Sequence, residues 1–263
     1  MSEPSRRTVL RSIGAGTGAV AASAAWVPSA AAAHPTTTAG DNPVVRENRA
    51  PGSDQWAVGC AETRGVDPHR PQIQGRAARD SVAPGEPLRL HLTAPGAESV
   101  TVAIYRLGHY GGARARHLLT ETATPGLWSR AIPATWVSGL YLAVLTTPAG
   151  HRAHTPFVVH EPARNSALLH VVSGEPGADA SVGRWLEEEG YDVTYATAAD
   201  LRARRVDPAR AKAVVTAGTA VRGPRVVHLD RPSALSEPGR TKETARRAAA
   251  EALEAVGVSR SRS

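Results

Sequence analysis

The chain has 263 residues, 41% hydrophobic and 21% charged, enough apolar content for packed cores and too little charge for wholesale disorder. Aromatic residues make up only 4%, so those cores must be built from Val, Leu and Ala. The single cysteine, Cys60, excludes an intramolecular disulfide framework and every Cys-based zinc cluster. No apolar run of about 20 residues follows the N-terminus, which excludes a multi-pass membrane protein. The net charge of +7 comes almost wholly from arginine, with Lys212 and Lys242 the only lysines. The densest basic run, Arg202, Arg204 and Arg205, has no aromatic beside it, so no nucleic-acid partner is expected.

Residues 1–33 read as an export signal. Ser5-Arg6-Arg7-Thr8-Val9-Leu10-Arg11 resembles the twin-arginine (Tat) pattern, and a modestly apolar stretch follows from Ile13 to Trp26. Pro28 ends any helix there, and Ala31-Ala32-Ala33 offers a cleavage site before His34. The expected partner is the Tat translocase, the membrane is met only in transit, and the expected location is secreted. Residues 34–70 form an extended lead-in, anchored in part through Trp56 and Val58.

From 71 to 160 the pattern is β. Leu88, Leu90 and Leu92 alternate with Arg89 and His91, and Val100, Val102 and Ile104 alternate with Thr101 and Ala103. Pro84-Gly85, Pro95-Gly96 and Pro125-Gly126 mark turns between such runs. Gly139–Thr147 is apolar on both faces and reads as a central strand; His151–Val159 follows as its hairpin partner. Seven short strands in this stretch predict an immunoglobulin-like β-sandwich.

The period changes after Glu161-Pro162. Residues 165–258 predict a small α/β domain. Its strands are Ala167–Val172, Tyr191–Ala196, Ala213–Thr216 and Arg225–Leu229. One helix is capped by Asp179 or Ser181 and stopped by Gly190, a helical turn spans Asp200–Arg205, and a last helix spans Thr241–Val256. Residues 259–263 read as a disordered tail.

One segment is distinctive: Ile104-Tyr105-Arg106-Leu107-Gly108-His109-Tyr110-Gly111-Gly112. It is joined in order by Glu47-Asn48 with Pro51-Gly52, by Ile73-Gln74-Gly75, by Ser81-Val82-Ala83-Pro84-Gly85-Glu86 and by Ser138-Gly139-Leu140-Tyr141. Together these resemble the large (β) subunit of N,N-dimethylformamidase, from about Glu47 to Val159 and more weakly through Gly190–Tyr195. The resemblance implies an immunoglobulin-like domain followed by a flavodoxin-like α/β domain of the glutamine-amidotransferase type. It also implies hydrolysis of small amides at a mononuclear iron held by tyrosines and a glutamate.

The family's catalytic motifs do not carry over. A Thr-Trp-Gln-Ala-Tyr-Asn segment is expected after the first α/β strand, where this chain has Ser173-Gly174-Glu175-Pro176-Gly177. A Gly-His-Asp-Glu-Tyr-Trp motif is expected where it has Val214-Val215-Thr216-Ala217-Gly218-Thr219. The expectation is a shortened, non-catalytic binding or structural protein derived from an amidohydrolase. The alternative is a small-amide hydrolase using iron or completed by a partner subunit.

Candidate sites follow from both readings. Arg106, His109 and Tyr110 offer donors for recognition, or mark a special turn that packs the sandwich against its neighbour. Ser173 and Glu175 are the catalytic candidates, lying with Asp179 beyond the carboxyl end of a strand, where ligands bind in such sheets. Tyr191 and Tyr195 share one strand face, as metal ligands or as core, and Glu175 would complete an iron set. No cofactor is expected unless the family's activity is retained, in which case it is iron. His151 and His154, three apart on a strand, point to opposite faces and do not form a metal pair. Cys60 has no nearby base and reads as a free thiol.

Overall fold

In the computed structural model, residues 42–57, 63–218, 221–223, 225–236 and 239–259 are described. The export signal with Arg6, Arg7 and Ala33, together with Val58, Cys60, Thr219 and residues 260–263, lies outside them. The architecture is mixed, mostly β sheet with a few helices.

A short helix, α1 (Pro43–Glu47), opens the described chain. The Asn42 side chain caps it, accepting from the Val44 and Val45 amides at 3.0 and 3.3 Å, and Pro43 stands at its first position. Eight strands follow: β1 (Gln74–Ala77), β2 (Ser81–Val82), β3 (Pro87–Thr93), β4 (Val100–Leu107), β5 (Ala115–Ala123), β6 (Gly126–Ala131), β7 (Gly139–Thr146) and β8 (Arg152–Val159). They form a three-stranded sheet, β1-β3-β6, and a five-stranded sheet, β2-β8-β7-β4-β5. The sequence predicts seven strands here and the structure has eight, one of which, β2, has two residues and is too short to show alternation.

The period-2 pattern does what it predicts. In β3, Leu88, Leu90 and Leu92 are buried while the residues between them are exposed. They pack with Val100, Val102 and Ile104 of β4 and with Tyr141, Ala143 and Leu145 of β7 in one apolar core shared by both sheets. Strand β7 is central and buried on both faces until its last residue. Gly85, Gly96 and Gly126 take positive φ at the predicted turns.

The rest of the chain forms a parallel sheet from β9 (Leu168–Val172), β10 (Val193–Thr197), β11 (Ala213–Thr216) and β12 (Val226–His228), in the order β10-β9-β11-β12. Helices α2 (Pro176–Glu188) and α4 (Arg240–Ala255) cover one face through Val182, Trp185, Leu186, Ala249 and Leu253. On the other face Leu169, Val171, Ala196 and Val214 pack with Val206 and Ala211, beside α3 (Ala198–Arg202).

Three local expectations change. Helix α2 starts at Pro176, before Asp179, because proline suits the first turn and the Asp179 carboxylate reaches back to the loop instead of capping. Tyr191 precedes β10, which begins at Val193. The turn read at Asp200–Arg205 begins at Ala198, where Thr197 and Asp200 form a reciprocal capping box.

Candidate functional site

Strand order decides where a ligand site should lie. From β9 the chain crosses to β10 on one side and then to β11 on the other, so the order reverses between β9 and β11. In open α/β sheets ligands bind outside the carboxyl ends of the strands at that reversal. The residues there are Ser173 and Gly174 after β9, and Ala217 and Gly218 after β11.

This end is occupied from within. The Asp179 carboxylate accepts from the Ser173 amide at 2.8 Å, the Ser173 hydroxyl at 3.0 Å and the Gly174 amide at 3.1 Å. The Glu175 amide donates to the Ser173 hydroxyl oxygen at 3.2 Å. The opposite loop presses in: a Cβ on Gly218 would lie 3.0 Å from the Ser173 Cβ. Gly218 itself is held by its amide on the Thr216 hydroxyl (3.1 Å) and by its carbonyl on His228 Nδ1 (3.0 Å).

Beneath Asp179 lies His170, fully buried. Its Nδ1 donates to the Val215 carbonyl at 3.2 Å, which leaves Nε2 facing Asp179 Oδ1 at 3.9 Å with no hydrogen-bond partner among the described residues. Burial lowers the imidazole pKa, against the opposing pull of Asp179. Beside this cluster a cleft of about 350 Å³ opens between β8 and the ends of β9 and β10, lined by Pro156, Phe157, Val172, Ser173, Thr197 and Arg202.

A second polar cluster joins the two halves of the molecule. Arg106 occupies the inward position after Val102 and Ile104 in the β4 series, where the apolar core ends. Its guanidinium is completely buried and meets Glu187 of α2, with Nη2 on Oε1 at 2.7 Å and Nη1 on Oε2 at 3.1 Å. It also donates to the Ser138 carbonyl and the Tyr110 hydroxyl, each at 3.0 Å. Burial alone would lower its pKa; the Glu187 carboxylate more than offsets this and keeps the group charged. The Tyr195 hydroxyl donates to Glu187 Oε1 at 2.8 Å, and Asn48 donates to Oε2 at 2.7 Å. Asn48 Oδ1 in turn accepts from the His109 and Tyr110 amides, at 2.8 and 3.1 Å. Tyr110 has φ of 44°, and Gly111 and Gly112 also have positive φ, so this turn adopts its shape around the Asn48 oxygen.

The sequence-derived candidates therefore separate. Arg106 lies within a strand, not a loop, and is committed with Tyr110 to the seam. His109 is partly exposed, its Nδ1 3.7 Å from Glu188. Ser173 lies at the sheet's carboxyl edge, and Glu175 stands exposed at the N-cap of α2. Tyr195 bonds to Glu187 near the other end of the same thirteen-residue helix, about 18 Å along the axis from Glu175 at 1.5 Å per residue. Burial, reinforced by Glu187, pushes the Tyr195 phenol well above its ordinary pKa, and Tyr191 packs on Trp185 with ring centroids 5.8 Å apart. These residues do not fit an iron held by tyrosines and a glutamate: a ligating phenol must lose its proton, and this one already serves Glu187. Among the described residues no group of three or more His, Cys, Asp or Glu side chains converges as metal ligands, and no helix is long and apolar enough to cross a membrane.

Glu187 and the His170–Asp179 contact are not singled out by sequence, and Asn48 stands out only within the Glu47-Asn48 motif, with no role assigned. A signal for the first exists, because Asp179, Gly183 and Glu187 recur every four residues along the buried ridge of α2. A glycine between two acids on an apolar face marks the place where Tyr195 lies: a Cβ on Gly183 would stand 2.7 Å from its hydroxyl.

Residues 101–176, from β4 to the first residue of α2, match the family model described as N,N-dimethylformamidase beta subunit-like, C-terminal. The match supports membership of the dimethylformamidase-like family. No curated protein matches the chain. Among solved structures it is similar to superoxide reductase (neelaredoxin) from Ignicoccus hospitalis, at 13% identity over 34% of this chain and 81% of that one, TM-score 0.24. It is also similar to a cycloisomaltooligosaccharide glucanotransferase from Paenibacillus sp., at 15% identity over 58% of this chain and 20% of that one, TM-score 0.25. Cwp6 from Clostridium difficile is similar at 11% identity over 69% of this chain and 39% of that one, TM-score 0.22. Likenesses this remote carry nothing about function.

Proposed function

We propose that this is a Tat-exported, secreted binding or structural protein. Its immunoglobulin-like sandwich and flavodoxin-like α/β part derive from a dimethylformamidase-like amidohydrolase that has given up catalysis. The observation that carries this reading is the internal capping of the sheet's ligand end by Asp179. The Ser173 and Gly174 amides are the donors that would face a developing oxyanion there, and both already end on a carboxylate. The Ser173 hydroxyl donates to that same carboxylate, which both loop amides already engage, and no histidine hydrogen-bonds the hydroxyl among the described residues. The test is release of amine from small N-alkyl formamides by the full chain, with and without added ferrous iron. No turnover above background is expected in either case. Turnover that disappears in Ser173→Ala would overturn the reading and establish the hydrolase.

A small-amide hydrolase, in which a partner subunit supplies the missing groups, is the second reading. The cleft beside Ser173 favours it, being of a size for a small amide and open between β8 and β10.

A further inference from the structure

The paired sheets are unequally charged compared with the rest of the chain. Between Thr63 and His160 ten arginines stand against five acidic residues, whereas residues 161–263 hold sixteen Arg and Lys against fourteen acids. Part of that excess gathers in one place. An open groove of about 900 Å³ runs along edge strand β1, between it and β8, with Arg76, His91, Arg152 and His154 on its walls. Arg76 and His91 are exposed and directly opposed in the β1–β3 register. Neither has an ion-pair partner among the described residues. Arg152 reaches the Gln55 and Ala57 carbonyls at 2.7 and 3.0 Å on the facing wall, where His154 is partly buried with its Nε2 away from solvent and supplies no donor to the groove. The one acid of the groove, Asp67, uses Oδ1 to hold the His69 and Arg70 amides at 2.8 and 3.3 Å.

We infer that this groove binds an extended polyanion through its phosphate groups. Its donors come from three strands on facing walls. A tetrahedral phosphate, with oxygens in several directions, satisfies such a set better than a planar carboxylate does. An open groove along a strand suits a chain of closely spaced phosphates more than a single enclosed ion. No Phe, Tyr or Trp among the described residues lines it, so bases have little to stack on beyond the His91 ring, and a nucleic acid gains little there beyond what its phosphates give. The inference goes beyond the proposed binding role and is independent of whether the α/β cleft is catalytic.

The test is fluorescence anisotropy of labelled inorganic polyphosphate titrated with the full chain at low salt. Binding is expected, weakening by roughly tenfold or more between 50 and 200 mM salt as counterion release predicts. Arg76→Ala combined with His91→Ala is expected to weaken it by about tenfold or more, two charge-assisted contacts being lost. Both side chains are exposed on a strand, so the melting temperature should hold. Arg240→Ala with Arg247→Ala on α4 should leave affinity within about twofold, since those charges lie outside the groove. Four results would each overturn the inference: absent binding, an unaffected double variant, an equal loss in the α4 control, or equal affinity for a polyglutamate of matched length. Tighter binding of a single-stranded oligonucleotide than of polyphosphate would transfer the site to nucleic acid.

Discussion

The core between the two β sheets and the seam between those sheets and α2 are built on opposite principles, and one strand passes from the first to the second. Along the inward series of β4, Val100, Val102 and Ile104 enter an apolar core, and the next inward residue, Arg106, enters a network of charges and hydroxyls. A register shift between Ile104 and Tyr105 marks the change. The apolar core depends on volume, and its attraction is non-directional, so related side chains can replace one another. The seam depends on matching donors to acceptors: each Glu187 oxygen accepts from two side chains. A buried pair of this kind adds little net stability, but it penalises every docking that leaves one partner alone. The core holds the sheets together, and the seam fixes how they meet the helix.

That contrast is broken most sharply by removing one charge. Glu187→Ala should cost about 3–5 kcal/mol, because Arg106 would stay buried without its counter-ion. The pairing of Arg106→Met with Glu187→Leu should recover part of that loss, since no charge is left behind although Tyr195 and Asn48 lose their acceptor. Urea unfolding of the single and double variants checks both. A double variant no more stable than the single one would show that the seam's value lies beyond the ion pair. In the apolar core, Leu90→Ala should cost about 3 kcal/mol and Leu90→Met less than about 1.5 kcal/mol, as a volume-conserving change. Equal losses from the two would contradict the tolerance assigned to that region.

The same contrast explains what the sequence made legible. The β3 and β4 alternation, the doubly apolar β7 and the glycine turns are local patterns, and the strands appear where those patterns place them. The parallel strands and α4 were legible for the same reason. The start of α2 was not, because Asp179 looks like a cap but serves Ser173 and Gly174 across a loop. The seam was only half legible. Arg106, His109 and Tyr110 drew attention as an unusual motif, yet their partners Asn48 and Glu187 lie 61 and 81 residues away, a distance local pattern does not span. Tyr195 lies buried in β10 while Tyr191 precedes the strand, and the Tyr195 partner on α2 is invisible to local pattern for the same reason.

A milder cut tests whether the seam acts as one network. Asn48→Ala removes the acceptor of the His109 and Tyr110 amides and a donor to Glu187, and should cost about 1–3 kcal/mol. If Asn48 and Glu187 work together, its effect in the Glu187→Ala background should shrink, which a double-mutant cycle by urea unfolding measures. Strict additivity would separate α1 from the seam.

Acid offers the gentlest and most graded probe. Burial holds His154, His160 and His170 below the ordinary imidazole pKa, with Asp200 opposing it at His160 and Asp179 opposing it at His170. Their folded values thus lie below the unfolded value of about 6.5, so the unfolded chain takes up protons first as pH falls. Stability from these groups is complete above about pH 6.5 and is lost progressively below it, down through the folded values. Asp200 acts in the same direction lower down. Burial pushes it up, yet hydrogen bonds from Ser81 and Thr197 more than offset this and hold it below the ordinary aspartate value, so its contribution fades as acid protonates it. The urea midpoint should therefore fall between about pH 7.5 and pH 5.5, and His170→Gln should flatten that slope by removing the most deeply buried ring. A midpoint that rises on acidification would mean that His170 binds its proton in the folded state, closing the 3.9 Å gap to Asp179 as an ion pair and reversing the sign of the dependence.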